Sequence, residues 1–224
     1  MFKFMSLLLA LFLVVGALLY GAGAAADPVA VPDPVVDAPL ATSKGAQTAV
    51  LAGGCFWGVD AVFKHVRGVN SVTSGYAGGG TKPARYEVVS TGTTGHAESV
   101  RINYDPSRIT YGQLLKVFFA VAHDPTQLNR QGPDTGTQYR SAIFYANDEQ
   151  KRIAEAYVEQ LNRAKVFDRP VVTQVAALDS FHPAEGYHQN YLALHPNEPY
   201  IVYNDLPKLE NLRKQFPELY AARK

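Results

Sequence analysis

Cysteine is almost missing from this chain: there is one, Cys55, in 224 residues. A single thiol excludes a disulfide within the chain and a zinc site built from several thiolates. A charge excess is missing too, with 21 Lys and Arg against 20 Asp and Glu. Nucleic-acid binders ordinarily carry a basic surplus, so this balance argues against one. No internal repeat is visible. Six histidines leave a metal site open without pointing to one. What is present is enough to fold. The chain is 47% hydrophobic and 18% charged, which fills a core and argues against overall disorder. Its length suits one domain, with or without an appendage.

The N-terminus reads as an export signal. Lys3 precedes an apolar run over residues 5–20, followed by Gly21-Ala22-Gly23-Ala24-Ala25-Ala26 and then Asp27. A basic start, an apolar stretch and small residues before a cleavage point form a secretory signal peptide. The run is short for the roughly 20 residues of a membrane span. We therefore expect cleavage before Asp27, a periplasmic or secreted mature chain, and no stable membrane insertion. Removing Lys3 leaves 20 basic and 20 acidic residues, with no bias toward membrane or nucleic acid. Residues 27–44 hold Pro28, Pro32, Pro34 and Pro39, and proline's fixed φ predicts an extended spacer. The expected division is a signal over 1–26, a linker over 27–45 and a folded domain over 46–224.

Periodicity places the elements. Residues 47–52 read as a strand ending in Gly53-Gly54. Val59, Val62, Phe63 and Val66 repeat at helical spacing, so 57–66 reads as a helix. Cys55 then lies at a strand-to-helix junction. Residues 69–76 read as a second strand. Residues 98–104 alternate, which puts Glu98 on one face with Val100, Ile102 and Tyr104. Thr110 and Gln113 predict a capping box. Residues 141–145 read as strand, Asn147 caps a helix through 161, and 171–178 read as strand. Helices are expected at 184–194 and 206–216. Mixed strands and helices without strict alternation predict an α+β domain in two layers.

A lone cysteine is ordinarily a small buried hydrophobe. Its setting here argues for more. Gly53-Gly54 permits a tight turn, and a helix start offers free N–H groups and a positive dipole end that favour thiolate. Phe56 and Trp57 directly after it can form an apolar wall beside the sulfur, or pack as ordinary core.

The string Gly53-Gly54-Cys55-Phe56-Trp57-Gly58 resembles the GCFWG signature of the peptide methionine sulfoxide reductase A family. The resemblance runs on through Gly75-Tyr76-Ala77-Gly78-Gly79, Tyr86-Glu87-Val88-Val89 and Thr94-Gly95-His96-Ala97-Glu98. It continues in His123-Asp124-Pro125-Thr126, Asn129-Arg130-Gln131-Gly132, Asp134 and Gly136-Thr137-Gln138-Tyr139-Arg140-Ser141. It ends in Ala184-Glu185 and Tyr187-His188-Gln189-Asn190-Tyr191-Leu192. The ordered series covers about residues 46–216.

The resemblance implies a two-layer, ferredoxin-like α/β plait and reduction of methionine S-sulfoxide in proteins and free methionine. In that scheme Cys55 attacks the sulfoxide sulfur and becomes a sulfenic acid. Glu98 is the acid, and its place on an apolar strand face agrees, because burial keeps a carboxyl protonated. Tyr86 and Tyr139 match tyrosines that bind the sulfoxide oxygen, Asp134 matches the remaining polar residue, and Phe56 and Trp57 match the methyl-binding wall. No metal, nucleotide or flavin is implied. His96 and His188 read as structural or supporting. The spacing of Glu185, His188 and Tyr191 on one helical face suggests a hydrogen-bond network.

One departure matters. Many similar proteins carry resolving cysteines, and here Val89 stands where some have one. The expected reductant is therefore an external thiol, either a thioredoxin-like domain or a low-molecular-weight thiol. A monomer is expected. Two other readings are an exported acyl transferase or hydrolase using Cys55 and His96, and a binding module with an inert core cysteine.

Overall fold

The computed structural model describes residues 29–81 and 84–222. The expected signal over 1–26 lies outside them. The chain runs through β1 (Gln47–Gly53), α1 (Phe56–Lys64), β2 (Val69–Ala77), α2 (Tyr86–Val89), β3 (Ala97–Tyr104) and α3 (Tyr111–Val117). It continues through β4 (Arg130–Gln131), β5 (Asp134–Thr135), β6 (Ser141–Tyr145), α4 (Asp148–Arg163), β7 (Gln174–Ala177), β8 (Phe181–Pro183), α5 (Tyr191–Leu194) and α6 (Leu206–Gln215). One six-stranded sheet has the order β7-β6-β1-β3-β2-β8, and β4 and β5 form a separate two-stranded ribbon. All pairings in the large sheet are antiparallel except β6 with β7. The mixed α and β content matches the expected class.

The core forms where sequence patterns meet. Val100, Ile102 and Tyr104 of β3 are buried with Leu51 of β1, against Val59, Val62 and Phe63 of α1. Arg101 and Asn103, on the other phase, are only half-buried. That is the period-two pattern of a strand with one fully covered face. Thr110 and Gln113 make the capping box of α3, and the Asn147 side chain accepts from Gln150 N at 2.9 Å to start α4.

One stretch differs from the pattern-based expectation. Residues 184–194 do not form one helix. A short 3-10 turn over Gly186–His188 stops, and α5 restarts only after Asn190, whose φ of 57° is left-handed. Asparagine tolerates that region better than most residues, and its αL conformation interrupts the helical phase. Glu185, His188 and Tyr191 therefore do not share a helix face. Before α6, Ile201–Asp205 forms a π-helical turn, as does Phe118–Ala122 after α3. A π turn adds a residue per turn and shifts which side chains face inward.

The proline-rich segment has no helix or strand over residues 29–44 and lies against the domain. Val31 is buried in the main core, and Tyr157 OH donates to Pro32 O at 2.6 Å. Lys116 pairs with Asp33 at 2.6 Å. The Asp37 carboxylate accepts from Gly112 N at 2.8 Å and from the Thr110 hydroxyl, at the start of α3.

Candidate active site

The turn between β1 and α1 sets the site. Gly54 has φ of +88°, and a Cβ there would also strike the Gln131 side chain, so glycine suits both backbone and packing. The turn delivers Cys55 to the N-terminal cap of α1, just before its first residue, buried, with 8% of its surface exposed. Glu98 comes from the adjoining region of β3 and is 3% exposed. Its Oε2 accepts the Phe56 N–H at 3.0 Å, which ties the carboxyl to the start of the same helix.

Burial decides the charge states here. It pushes the Cys55 thiol well above its ordinary range, and the carboxylates of Glu98, Asp205 and Asp134 add to that, against a hydrogen bond from the Trp57 N–H. The helix start was expected to favour thiolate. Desolvation and nearby acids outweigh it. Burial also pushes Glu98 up to about 8, with the Asp134 charge adding and the Phe56 N–H opposing. At neutral pH Glu98 therefore carries a proton it can give.

The structure brings the remaining residues of the expected set together. Tyr86 lies at the start of α2 and Tyr139 ends a 3-10 turn over Thr137–Tyr139. Both phenols are held above their usual range, by burial first and then by charges including Glu98, Cys55 and Asp134. They are neutral donors in this neighbourhood. Asp134 lies in β5 and is raised by burial, opposed by its hydrogen bond from Tyr200 and by the Lys208 charge. Phe56 is fully buried and joins the main core, while Trp57 is half-buried at its edge. Trp57 stacks on Tyr191 with centroids 3.6 Å apart, meets Tyr200 edge-on at 5.8 Å, and donates Nε1–H to His188 Nδ1 at 3.2 Å.

The supporting network exists by a different route from a shared helix face. Glu185 accepts from Tyr76 OH at 2.9 Å and from Tyr86 N at 3.0 Å. His188 packs among Phe56, Tyr86 and Tyr187 while holding Trp57. Tyr191 OH donates to Glu198 at 2.7 Å. His96 is buried edge-on to His182, with ring centroids 5.5 Å apart. His96, the histidine of the hydrolase reading, thus lies against His182, and His188 holds Trp57. Among the described residues no group of three or more His, Cys, Asp or Glu is arranged to hold a metal ion.

Sequence reasoning missed Tyr200, Asp205 and Lys208. Asp205 immediately precedes α6, and its side chain accepts from Lys208 Nζ at 3.0 Å.

A mixed α/β domain that presents one thiol at a helix start, beside a protonated carboxyl and neutral phenols, defines a thiol-centred enzyme. The family model described as peptide methionine sulfoxide reductase matches residues 47–220, and the chain belongs to that family. It is similar to peptide methionine sulfoxide reductase MsrA 2 of Mesorhizobium japonicum, 61% identical over 177 residues, 79% of this chain and 91% of that protein. It is also similar to the MsrA 2 of Synechocystis, 52% identical over 190 residues, 84% of this chain and 89% of that protein. Among solved structures, methionine sulfoxide reductase A of Corynebacterium diphtheriae aligns with TM-score 0.59 at 36% identity, over 74% of this chain and 86% of that one. Mxr1 of Saccharomyces cerevisiae in reduced form aligns with TM-score 0.61 at 31% identity, over 72% and 91%.

Proposed function

We propose that Cys55 is the nucleophile and Glu98 the acid of this peptide methionine sulfoxide reductase, an oxidoreductase. The observation that carries the reading is the buried Glu98 carboxyl tied to the Phe56 N–H one residue from the thiol, held up to about 8. In the first step the Cys55 thiol gives up its proton, which replaces the one Glu98 supplies to the oxygen, and its sulfur attacks the sulfoxide sulfur. The S–O bond breaks, oxygen passes to Cys55 with a proton supplied through Glu98, and the thioether leaves. Cys55 is oxidised to sulfenic acid and the sulfoxide is reduced. A thiol R–SH then condenses with Cys55–SOH, releasing water and leaving a mixed disulfide. A second thiol clears that disulfide and restores Cys55.

Tyr86 and Tyr139 donate to the sulfoxide oxygen, Trp57 and Phe56 receive the S-methyl group, and Asp134 completes the polar side. The S epimer at sulfur, in peptides and free methionine, is the substrate. With one cysteine in this chain, the reductant is external, thioredoxin-like or a small thiol. The fold is a ferredoxin-like plait, supported by the order β6-β1-β3-β2 with α1 and α3 as crossovers. The N-terminal signal pattern supports export and repair of oxidised periplasmic or secreted proteins by a monomer.

The test is reduction of a methionine S-sulfoxide peptide with excess dithiothreitol, beside the R epimer and Cys55→Ser. Turnover of the S epimer alone, abolished in Cys55→Ser, is the expected result. Turnover that survives Cys55→Ser sinks the assignment.

A further inference from the structure

The turn that carries Tyr139 is fastened by the side chains around it. Tyr139 ends the 3-10 turn over Thr137–Tyr139, and no side-chain hydrogen bond holds its phenol among the described residues. Its aim is therefore set by the turn. The neighbouring side chains all reach one loop, residues 90–95, which links α2 to β3 and so lies between Tyr86 and Glu98 in the chain. The Thr137 hydroxyl donates to Gly92 O at 2.9 Å, Gln138 Nε2 to Ser90 O at 3.0 Å, and Arg140 Nη2 to Gly95 O at 2.9 Å. Ser90 N donates in turn to Tyr86 O at 2.8 Å. α2 is a single turn of four residues, too short to stand alone, and carbonyls at a helix end lack partners within the helix.

Gln138 is the buried member of this clasp, 5% exposed, whereas Thr137 is exposed. Arg140 also donates to the Gln174 side chain of β7 at 3.2 Å, so it has a second task in the sheet. Gly136, with φ of +140°, precedes the turn, and a Cβ there would collide with the Gln138 amide. The bare position lets that amide fold back toward Ser90. Gln138 Oε1 has no partner among the described residues. A buried amide satisfied on one side only is a poor way to fill space, and an apolar side chain would cost less to bury. The bond to Ser90 is what sets this residue apart.

We propose that Gln138 is a positioning residue for the reduction, fixing Tyr139 against the loop between α2 and β3 so that its phenol and that of Tyr86 meet the same sulfoxide oxygen. The proposal rests on the role given to Tyr139 above. Tyr86 has an anchor of its own, since its N–H donates to Glu185 at 3.0 Å. Tyr139 is the phenol that drifts when the clasp is cut. Donors to the oxygen count most as the S–O bond breaks and charge builds there. A misplaced Tyr139 therefore lowers kcat, while the methyl wall of Phe56 and Trp57, and with it KM, is left in place.

The experiment measures kcat and KM on a methionine S-sulfoxide peptide with excess dithiothreitol. The full chain is compared with Gln138→Met, Tyr139→Phe, the double variant and Thr137→Val. Gln138→Met keeps the length and removes the donor. Thr137→Val cuts another bond of the clasp at an exposed position. We expect Gln138→Met to lower kcat about tenfold, short of the hundredfold that a misplacement of about 1 Å can cost, with KM unchanged. Thr137→Val should lower kcat less, again with KM unchanged. The double variant should be no slower than Tyr139→Phe alone. A merely structural role would lower the melting temperature of Gln138→Met and leave kcat parental, and would overturn the proposal. So would a loss carried by KM, or losses that multiply in the double variant. If Gln138→Met does not fold, Thr137→Val decides: a lower kcat supports the clasp and a parental one overturns it. If Tyr139→Phe is itself at the parental rate, the reading of the site fails first. If Tyr139→Phe is slow and Gln138→Met is not, only the role of Gln138 fails.

Discussion

Glu98, proposed above as the acid, makes two separable predictions. As an acid it must hold its proton, so activity should fall as pH rises through about 8. Glu98→Gln should lower kcat by roughly a hundredfold, within the range for loss of a general acid, and should abolish that limb in a pH–rate profile. The second prediction concerns stability. Folding raises this carboxyl, so between its unfolded value near 4.5 and about 8 the folded state binds more protons than the unfolded one. Stability from this group is therefore lost as pH rises through that window. Glu98→Gln, which cannot ionise, should gain stability relative to the parent at alkaline pH. Urea unfolding at acid and alkaline pH checks it, and a pH-independent difference would count against a buried ionisable Glu98. Trp57 makes a third prediction. It joins Tyr191, Tyr200 and His188 into one aromatic group. Trp57→Ala should raise KM more than it lowers kcat, and an unchanged KM would place the methyl pocket elsewhere.

At the scale of elements, the proline-rich strap is held by side chains rather than by backbone pairing. Asp37 is its strongest point, placing a carboxylate at the start of α3 with the Gly112 N–H and the Thr110 hydroxyl as donors. Loss of a cap of this kind costs about 1 kcal/mol, and a negative group at a helix start adds to it. Asp37→Ala should therefore lower the free energy of urea unfolding by about that amount, with a lower midpoint, while kcat/KM stays at the parental value. An unshifted midpoint would show the strap to be a loose spacer. The strap also shows why parts of the fold were illegible in sequence. Local signals were read correctly where local physics decides, as at the Thr110–Gln113 capping box, the Asn147 cap and the alternation of β3. They failed where a contact is long-range or the helical phase slips. Nothing in a run of prolines says that Asp33 will meet Lys116. Nothing local shows that Asn190 turns left-handed, or that Ile201–Asp205 adds a π turn before α6. Cys55, Glu98 and the two tyrosines were legible because they sit inside motifs. Tyr200 was not, because its partner lies 66 positions away.

For the whole molecule, the decisive constraint on the proposed cycle is that the chain has a single thiol. After one turnover the sulfenic acid on Cys55 has no second cysteine in the chain to condense with. It must wait for an outside thiol, with further oxidation as the competing fate. A second copy is a poor candidate for that thiol. A disulfide needs its two Cα atoms within about 7 Å, and Cys55 lies buried in the turn between β1 and α1, 8% exposed. Two sulfurs buried in this way meet only if the residues around both turns move apart. A small thiol meets no such barrier, and a larger donor must present its sulfur on a projecting loop. Substrate added without reductant should therefore leave one extra oxygen on Cys55, or its thiol-trapped adduct, by intact mass spectrometry, with a single turnover of thioether formed. Non-reducing gels of the same sample should show no covalent dimer. A disulfide-linked dimer through Cys55 would mean that the turn opens during catalysis and that a second copy resolves the first. Restoring turnover with a monothiol at saturating concentration, through a detectable mixed disulfide, would fix the order of the two reductive steps.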